Sequence, residues 1–155
     1  MTSDTWQKLE DIYSECPGMR AEGVPQDEID AASVELGIPF PSDYQQFLRR
    51  HGGGHAGSLT VSGLRRWKLA GRDDWSVIAL TRRYRDQKYP GSDRWVIFSD
   101  DGFGNPVGFD QFGHIWLSDH NSGEFVCLED SFENWIRRWA LGVDAHRGGY
   151  IAQEK

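Results

Sequence analysis

The apolar residues of this chain change their spacing part-way along, and that change restricts the possible folds more than any other feature. Up to about residue 50 they recur every three or four positions, the period of a helix; beyond Arg94 they come in short runs broken by turn residues, the signature of strands. Trp6, Leu9, Ile12 and Tyr13 predict an amphipathic helix that stops before Pro17-Gly18. A second helix is expected from about Gln26: Asp27 and Glu28 suit its positive N-terminus, Ile29, Ala32 or Ser33, and Leu36 make one face, and Gly37 can take the left-handed cap. Pro41 fits the start of a third, with Tyr44, Phe47 and Leu48 as its buried stripe and Gly52-Gly53-Gly54 as its stop. Ser58 to Leu69 reads as one or two short strands, and Trp75, Ile78, Leu80 and Tyr84 as a helix beginning after Asp73-Asp74.

Four strands then follow, Trp95 to Phe98, Pro106 to Asp110, Ile115 to Leu117 and Phe125 to Leu128, and the turns between them predict an antiparallel meander. Phe132, Trp135, Ile136 and Trp139, at i, i+3, i+4 and i+7, close the pattern with a helix that Ser131 or Asp130 would cap. Beyond Gly142 the polar, glycine-containing tail to Lys155 need not pack, so the chain of 155 residues reads as one α+β domain.

Seven Trp, eight Phe and five Tyr supply the core, each ring with roughly 150–250 Å² of buriable surface. Twenty-four acidic against 17 basic side chains give a formal net charge of −7, which repels phosphate backbones and makes direct nucleic-acid binding a poor expectation. The same field would steer in a basic protein partner, although it also serves solubility alone. Cys16 and Cys127 are too few and too far apart for a disulfide framework or zinc knuckle, and are expected to be reduced and structural. No apolar run approaches the roughly 20 residues of a membrane span, and the first residues lack the features of a signal peptide, so a cytoplasmic location without membrane contact is expected.

Three segments in order carry a family resemblance. The first is Ile29 to Gly54, with Leu36-Gly37, the Pro41-Ser42-Asp43-Tyr44 turn, Phe47-Leu48 and the closing glycines; the second runs from Val96 to Asp110 through Asp100-Asp101-Gly102-Phe103-Gly104-Asn105 and continues to Gly113, Ile115 and Asp119-His120; the third is Ser131-Phe132-Glu133-Asn134-Trp135-Ile136. Together they resemble the SUKH superfamily, which takes in the yeast cell-wall-assembly regulator and many bacterial immunity proteins. The match covers about residues 26 to 141, and little of it falls between Arg65 and Asp93. The resemblance implies a twisted antiparallel sheet flanked by about four to five helices, no shared catalytic residues, no cofactor and, for a bacterial single-domain member, tight binding of a partner toxin as a monomer or weak dimer. It makes Pro41, Tyr44, Gly104, Asn105, His120, Ser131, Phe132 and Trp135 the residues of its structural motifs.

Each chemically suggestive cluster has a plainer reading. Asp100 to Asn105 is rich in oxygen ligands, but the twelfth position from Asp100 is Gln111 where a calcium loop of the EF-hand type needs Glu, so a glycine-permitted hairpin turn is the better reading and no metal is expected. Asp119-His120 beside Asp110 and Asp100 lacks a nucleophile with context, since Ser118 and Ser122 lie in turn-like positions and Cys127 on an apolar strand; a turn-stabilising Asp-His pair is expected instead. His51 and His55 are separated by three glycines and make a poor helical metal pair. The Arg82-Arg83-Tyr84-Arg85 run reads as a solvated helix end. Trp135, Trp139 and Phe132 are expected in the core, as by default are Trp67, Trp75, Phe103, Phe112 and Trp116, although any of these five can serve as an interface anchor.

These readings converge on a stoichiometric inhibitor of a toxin domain rather than an enzyme. If that toxin is a nuclease, the carboxylates of the sheet loops, Asp100, Asp101, Asp110, Asp119 and Glu124, would stand in for substrate phosphates, with Phe103, Phe112 and Trp116 as apolar contacts. A regulatory or scaffold module that binds a resident protein is the alternative, and a small hydrolase built on the Asp-His cluster is a third.

Overall fold

The computed structural model of the protein describes residues 1–71 and 74–143. Among the described residues the helices are α1 (Ser3–Glu15), α2 (Gln26–Leu36), α3 (Ser42–Arg50), α4 (Val77–Asp86) and α5 (Phe132–Trp135), the last continuing as a π-helical turn over Ile136–Ala140. The strands are β1 (Gly54–Ala56) and β2 (Leu59–Val61), which form a hairpin, and β3 (Val96–Asp100), β4 (Pro106–Phe109), β5 (Ile115–Asp119) and β6 (Glu124–Glu129), which form an antiparallel meander in that order. The α+β class and the meander are as the spacing predicts. The expected tail from Gly142 onward lies almost wholly outside the described residues.

Alternation along the strands gives the meander two apolar faces. Val96, Phe98, Val107, Phe109, Ile115, Leu117 and Leu128 join the main core, against Leu9, Tyr13, Ile29, Phe47 and Leu48 of α1 to α3 and Phe132, Trp135 and Ile136 of the closing helix. Tyr44 lies at the centre, edge-on to Phe40 and Phe132, and its hydroxyl donates to Ser62 O at 2.7 Å. Full burial pushes its pKa well above the ordinary tyrosine value. On the opposite face Trp95 and Ile97 pack under Leu80 and Tyr84 of α4, with Trp116, Phe125 and Tyr89 at the margin.

Local chemistry explains the boundaries. Gly37 takes the left-handed conformation at φ 77° and ends α2, and the Ser131 hydroxyl accepts from Asn134 N at 3.1 Å to start α5. Glu133, at the first turn of α5, accepts from Thr2 N, Thr2 Oγ1 and Thr5 Oγ1 at 2.6–2.7 Å, and its own amide donates to Asp43 Oδ2 at 2.9 Å. One residue thus ties α1, α3 and α5 together. These partners hold its carboxyl below the usual range against the opposing effect of burial.

Several expectations are corrected. The first strand begins at Gly54 rather than Ser58, because the glycine run is a meeting point of backbones: Ala21 N donates to Gly53 O at 2.9 Å and Leu64 N to Gly52 O at 2.8 Å. α4 begins at Val77, capped by the Ser76 hydroxyl, which accepts from Ala79 N; Trp75 precedes the helix, and Asp73 lies outside the described residues. The π turn inserts one extra residue, so Ala140 points inward and Trp139 is only half-buried, with Nε1 donating to Glu129 Oε1 at 3.1 Å. Within the basic run, Arg82 pairs with Glu35 and Arg83 approaches Asp74 at 3.5 Å, but Arg85 is not a solvated helix end. Its guanidinium donates to Trp95 O at 2.9 Å, Leu36 O at 3.1 Å and Ser92 O at 3.4 Å, clasping the end of α2 to the start of β3. Desolvation there lowers its pKa.

Candidate functional site

In an antiparallel meander alternate turns emerge at opposite ends of the sheet, and this separates the candidate residues into two groups. The β3–β4 and β5–β6 turns share one end. There Gly102 and Gly104 adopt φ of 85° and 86°, conformations that favour glycine, and leave Phe103 between them 81% exposed. Asp100 Oδ1 accepts from Gly102 N at 2.6 Å; Asp101 accepts from Phe103 N at 2.8 Å, Asn105 N at 3.2 Å and Asn105 Nδ2 at 2.8 Å. The buried Asn105 reaches the neighbouring turn: its Oδ1 accepts from His120 N at 3.1 Å and lies 2.5 Å from His120 Nδ1. In that turn Asp119 Oδ1 accepts from Asn121 N at 2.9 Å and Ser122 N at 3.4 Å, amides that hold its carboxyl below the usual range, and Glu124 is exposed beside it. The two turns are therefore braced together at one acidic end of the sheet, and the first of them carries an exposed phenyl ring.

Asp110, Phe112 and Trp116 occupy the other end. Asp110 is spent on its own turn, accepting from Phe112 N at 2.8 Å, His114 N at 3.0 Å and Trp116 Nε1 at 2.9 Å. Trp116 stacks on Trp95 with centroids 5.9 Å apart and planes within 11°, and the two straddle Gly108, where a side chain would meet Val96 O at 2.6 Å. Phe125 stands edge-on to both indoles, with the Arg94 guanidinium 5.1 Å above its ring. Together with Phe112, 74% exposed, they line an open groove of about 350 Å³. Trp95, Phe125 and Arg94 were not among the predicted contacts; the signal for the two rings is that Trp95 and Ile97, like Phe125 and Cys127, alternate out of phase with the core-facing residues, a signal Arg94 does not share.

The sequence model of the SMI1/KNR4 family (SUKH-1) matches residues 23–138, which takes in α2 through α5 and both groups of candidate residues. The chain belongs to this family. The three segments whose resemblance pointed to it lie wholly within that span, whereas no curated protein matches the chain.

In this SUKH-1 chain the motif residues serve the framework. Pro41 precedes α3, Tyr44, Phe132 and Trp135 pack beneath the sheet, and Gly104, Asn105 and His120 form the brace just described. The residues considered for chemistry are engaged elsewhere or buried. His51, buried among Trp6, Tyr13 and Phe47, has Nε2 3.1 Å from Glu10 Oε1, and its pKa is lowered by burial against the opposing pull of Glu10. His55 accepts from Trp67 Nε1 at 2.9 Å and is not joined to His51. Burial pushes the Cys127 thiol pKa up, away from the reactive thiolate, and Ser118 Oγ is buried on the strand. Among the described residues no three His, Cys, Asp or Glu side chains converge as a metal site, and no helix is long and apolar enough to cross a membrane. Of the five aromatic residues with two readings, Trp67 is in the core, Trp75 and Trp116 are half-buried, and Phe103 and Phe112 are exposed against the core expectation.

Proposed function

We propose that this SUKH-1 chain is an immunity protein, which binds a bacterial toxin domain one-to-one and covers the groove where that toxin holds its substrate. The observation that carries the reading is the braced acidic end of the sheet, where the Asn105–His120 contact joins the turn that bears Asp100, Asp101 and the exposed Phe103 to the one flanked by Asp119 and Glu124. Rigid backbone suits an inhibitor, because little conformational freedom is left to lose on binding. A net charge of −7 steers the protein toward a basic target, the groove of a nuclease above all, where these carboxylates would take the places of phosphates. Asp110 takes no part in that mimicry, since it stands at the opposite end of the sheet. The structural hydrogen bonds of Asp119 and His120, the burial of Ser118 and the raised thiol pKa of Cys127 support binding rather than catalysis. The test is titration of the purified toxin domain's activity: inhibition complete at one equivalent supports the reading, and full activity at a tenfold or roughly greater excess overturns it.

A further inference from the structure

At the acidic end of the sheet the described residues leave a cleft over the core face. Between the hairpin residues Ser58 and Leu59, the β3–β4 turn and Trp139 lies a cleft of about 260 Å³. Its floor is the core itself: Val107, Leu117, Leu128 and Trp135, none more than 4% exposed. Asp100 and Asp101 stand on the rim beside Phe103. The volume falls short of the roughly 300–1,000 Å³ that drug-sized ligands occupy, so the scale is that of one bulky side chain.

We propose that the cleft receives one bulky apolar side chain of the toxin domain, from a segment in which that residue is flanked by lysine or arginine, while Phe103 lies against the partner alongside it. The identity of the partner rests on the immunity reading; the chemistry rests on the cleft. The floor side chains are aliphatic but for the Trp135 indole, whose N–H is the one polar group among them, so a charged or strongly polar side chain would be desolvated there with little compensation. The rim offers two carboxylates fixed by amides of their own turn, which place negative charge where basic neighbours of the inserted residue would lie. A second copy of this chain fits poorly, because a twofold contact would set the same acidic rim against itself.

Two capped tripeptides separate the terms: acetyl-Lys-Phe-Lys-amide and acetyl-Glu-Phe-Glu-amide, each titrated at millimolar concentration into the labelled full chain and followed by NMR. The basic probe should shift the methyl signals of Val107, Leu117 and Leu128 and the indole signal of Trp139, and the acidic probe should bind at least roughly tenfold more weakly. Ser58→Trp, at an exposed position on the rim, should abolish these shifts without lowering the melting temperature, and should weaken toxin binding roughly a hundredfold, the scale of a lost hot spot. Silence at the cleft, shifts at the Trp95–Trp116 groove instead, or cleft shifts that follow protein concentration without any probe would each overturn the proposal. Loss of the cleft result with toxin neutralisation intact leaves the immunity reading standing; probe binding without neutralisation removes the toxin as partner, and with it the proposal as stated.

Discussion

Replacing Arg85 with Ala removes the donor that closes α2 onto the start of β3. The acceptors are the carbonyls of Trp95, Leu36 and Ser92, on residues that are themselves 1–4% exposed, so their backbone has little access to water. An unsatisfied buried acceptor costs about 1–3 kcal/mol. The 3.4 Å contact to Ser92 is weak, and the half-buried position of Arg85 lets some water enter the space left behind, so the two shorter bonds set the scale at about 3 kcal/mol. For a domain of this size each kcal/mol is worth about 2–4 °C in Tm, giving an expected fall of about 6–12 °C. Arg85→Lys keeps the charge, but one ammonium cannot span three carbonyls, and it should lie between the two. Thermal unfolding followed by near-ultraviolet circular dichroism reads both. A Tm for Arg85→Ala within about 2 °C of the parent, or a Lys variant as stable as the parent, would refute the clasp.

Gly108→Ala should destabilise by about 1–3 kcal/mol, because its new methyl would meet Val96 O and separate the stacked Trp95 and Trp116; an unchanged urea midpoint would show that the sheet yields there at no cost. Stability should fall as pH drops below about 7: burial depresses the pKa of His51 in the folded state, so its contribution is present above the unfolded value near 6.5 and lost as pH falls through the folded one, ahead of the carboxylates. His51→Gln should flatten that part of a stability-against-pH curve, and an unaltered slope between pH 5 and 7, or roughly that range, would assign it elsewhere. Glu124→Lys should slow association with the toxin domain and weaken its salt dependence while leaving dissociation nearly unchanged, as stopped-flow mixing at two ionic strengths would read. Asn105→Ala, which unfastens the two turns from each other, should do the reverse and speed dissociation.

The fold was largely legible because its determinants are local. Gly37, Pro41 and the Ser131 cap act within a turn of the residues they control, and alternation along β3 to β6 needs no knowledge of partners. Trp139 was misplaced because a π turn shifts the helical phase by one residue at Ile136, and nothing in the spacing of Phe132, Trp135 and Ile136 announces it. Arg85 was misread for a different reason: its three acceptors lie in other elements, up to 49 positions away along the chain, and an arginine next to two solvated ones carries no mark of that role. The acidic candidates were read together as loop residues of one surface, whereas Asp100, Asp119 and Glu124 are strand ends, and a meander must send Asp110 to the end opposite Asp100 and Asp119. Phe103 and Phe112 could not be told from core residues by type alone. Only the positive φ of the flanking glycines shows Phe103 to be held outward.

Co-expression of the chain with the toxic domain encoded beside its gene, scored for growth and then for co-purification, tests the central claim most directly. The account predicts restored growth and a stable one-to-one complex. Continued toxicity, with the two proteins eluting separately, would contradict it.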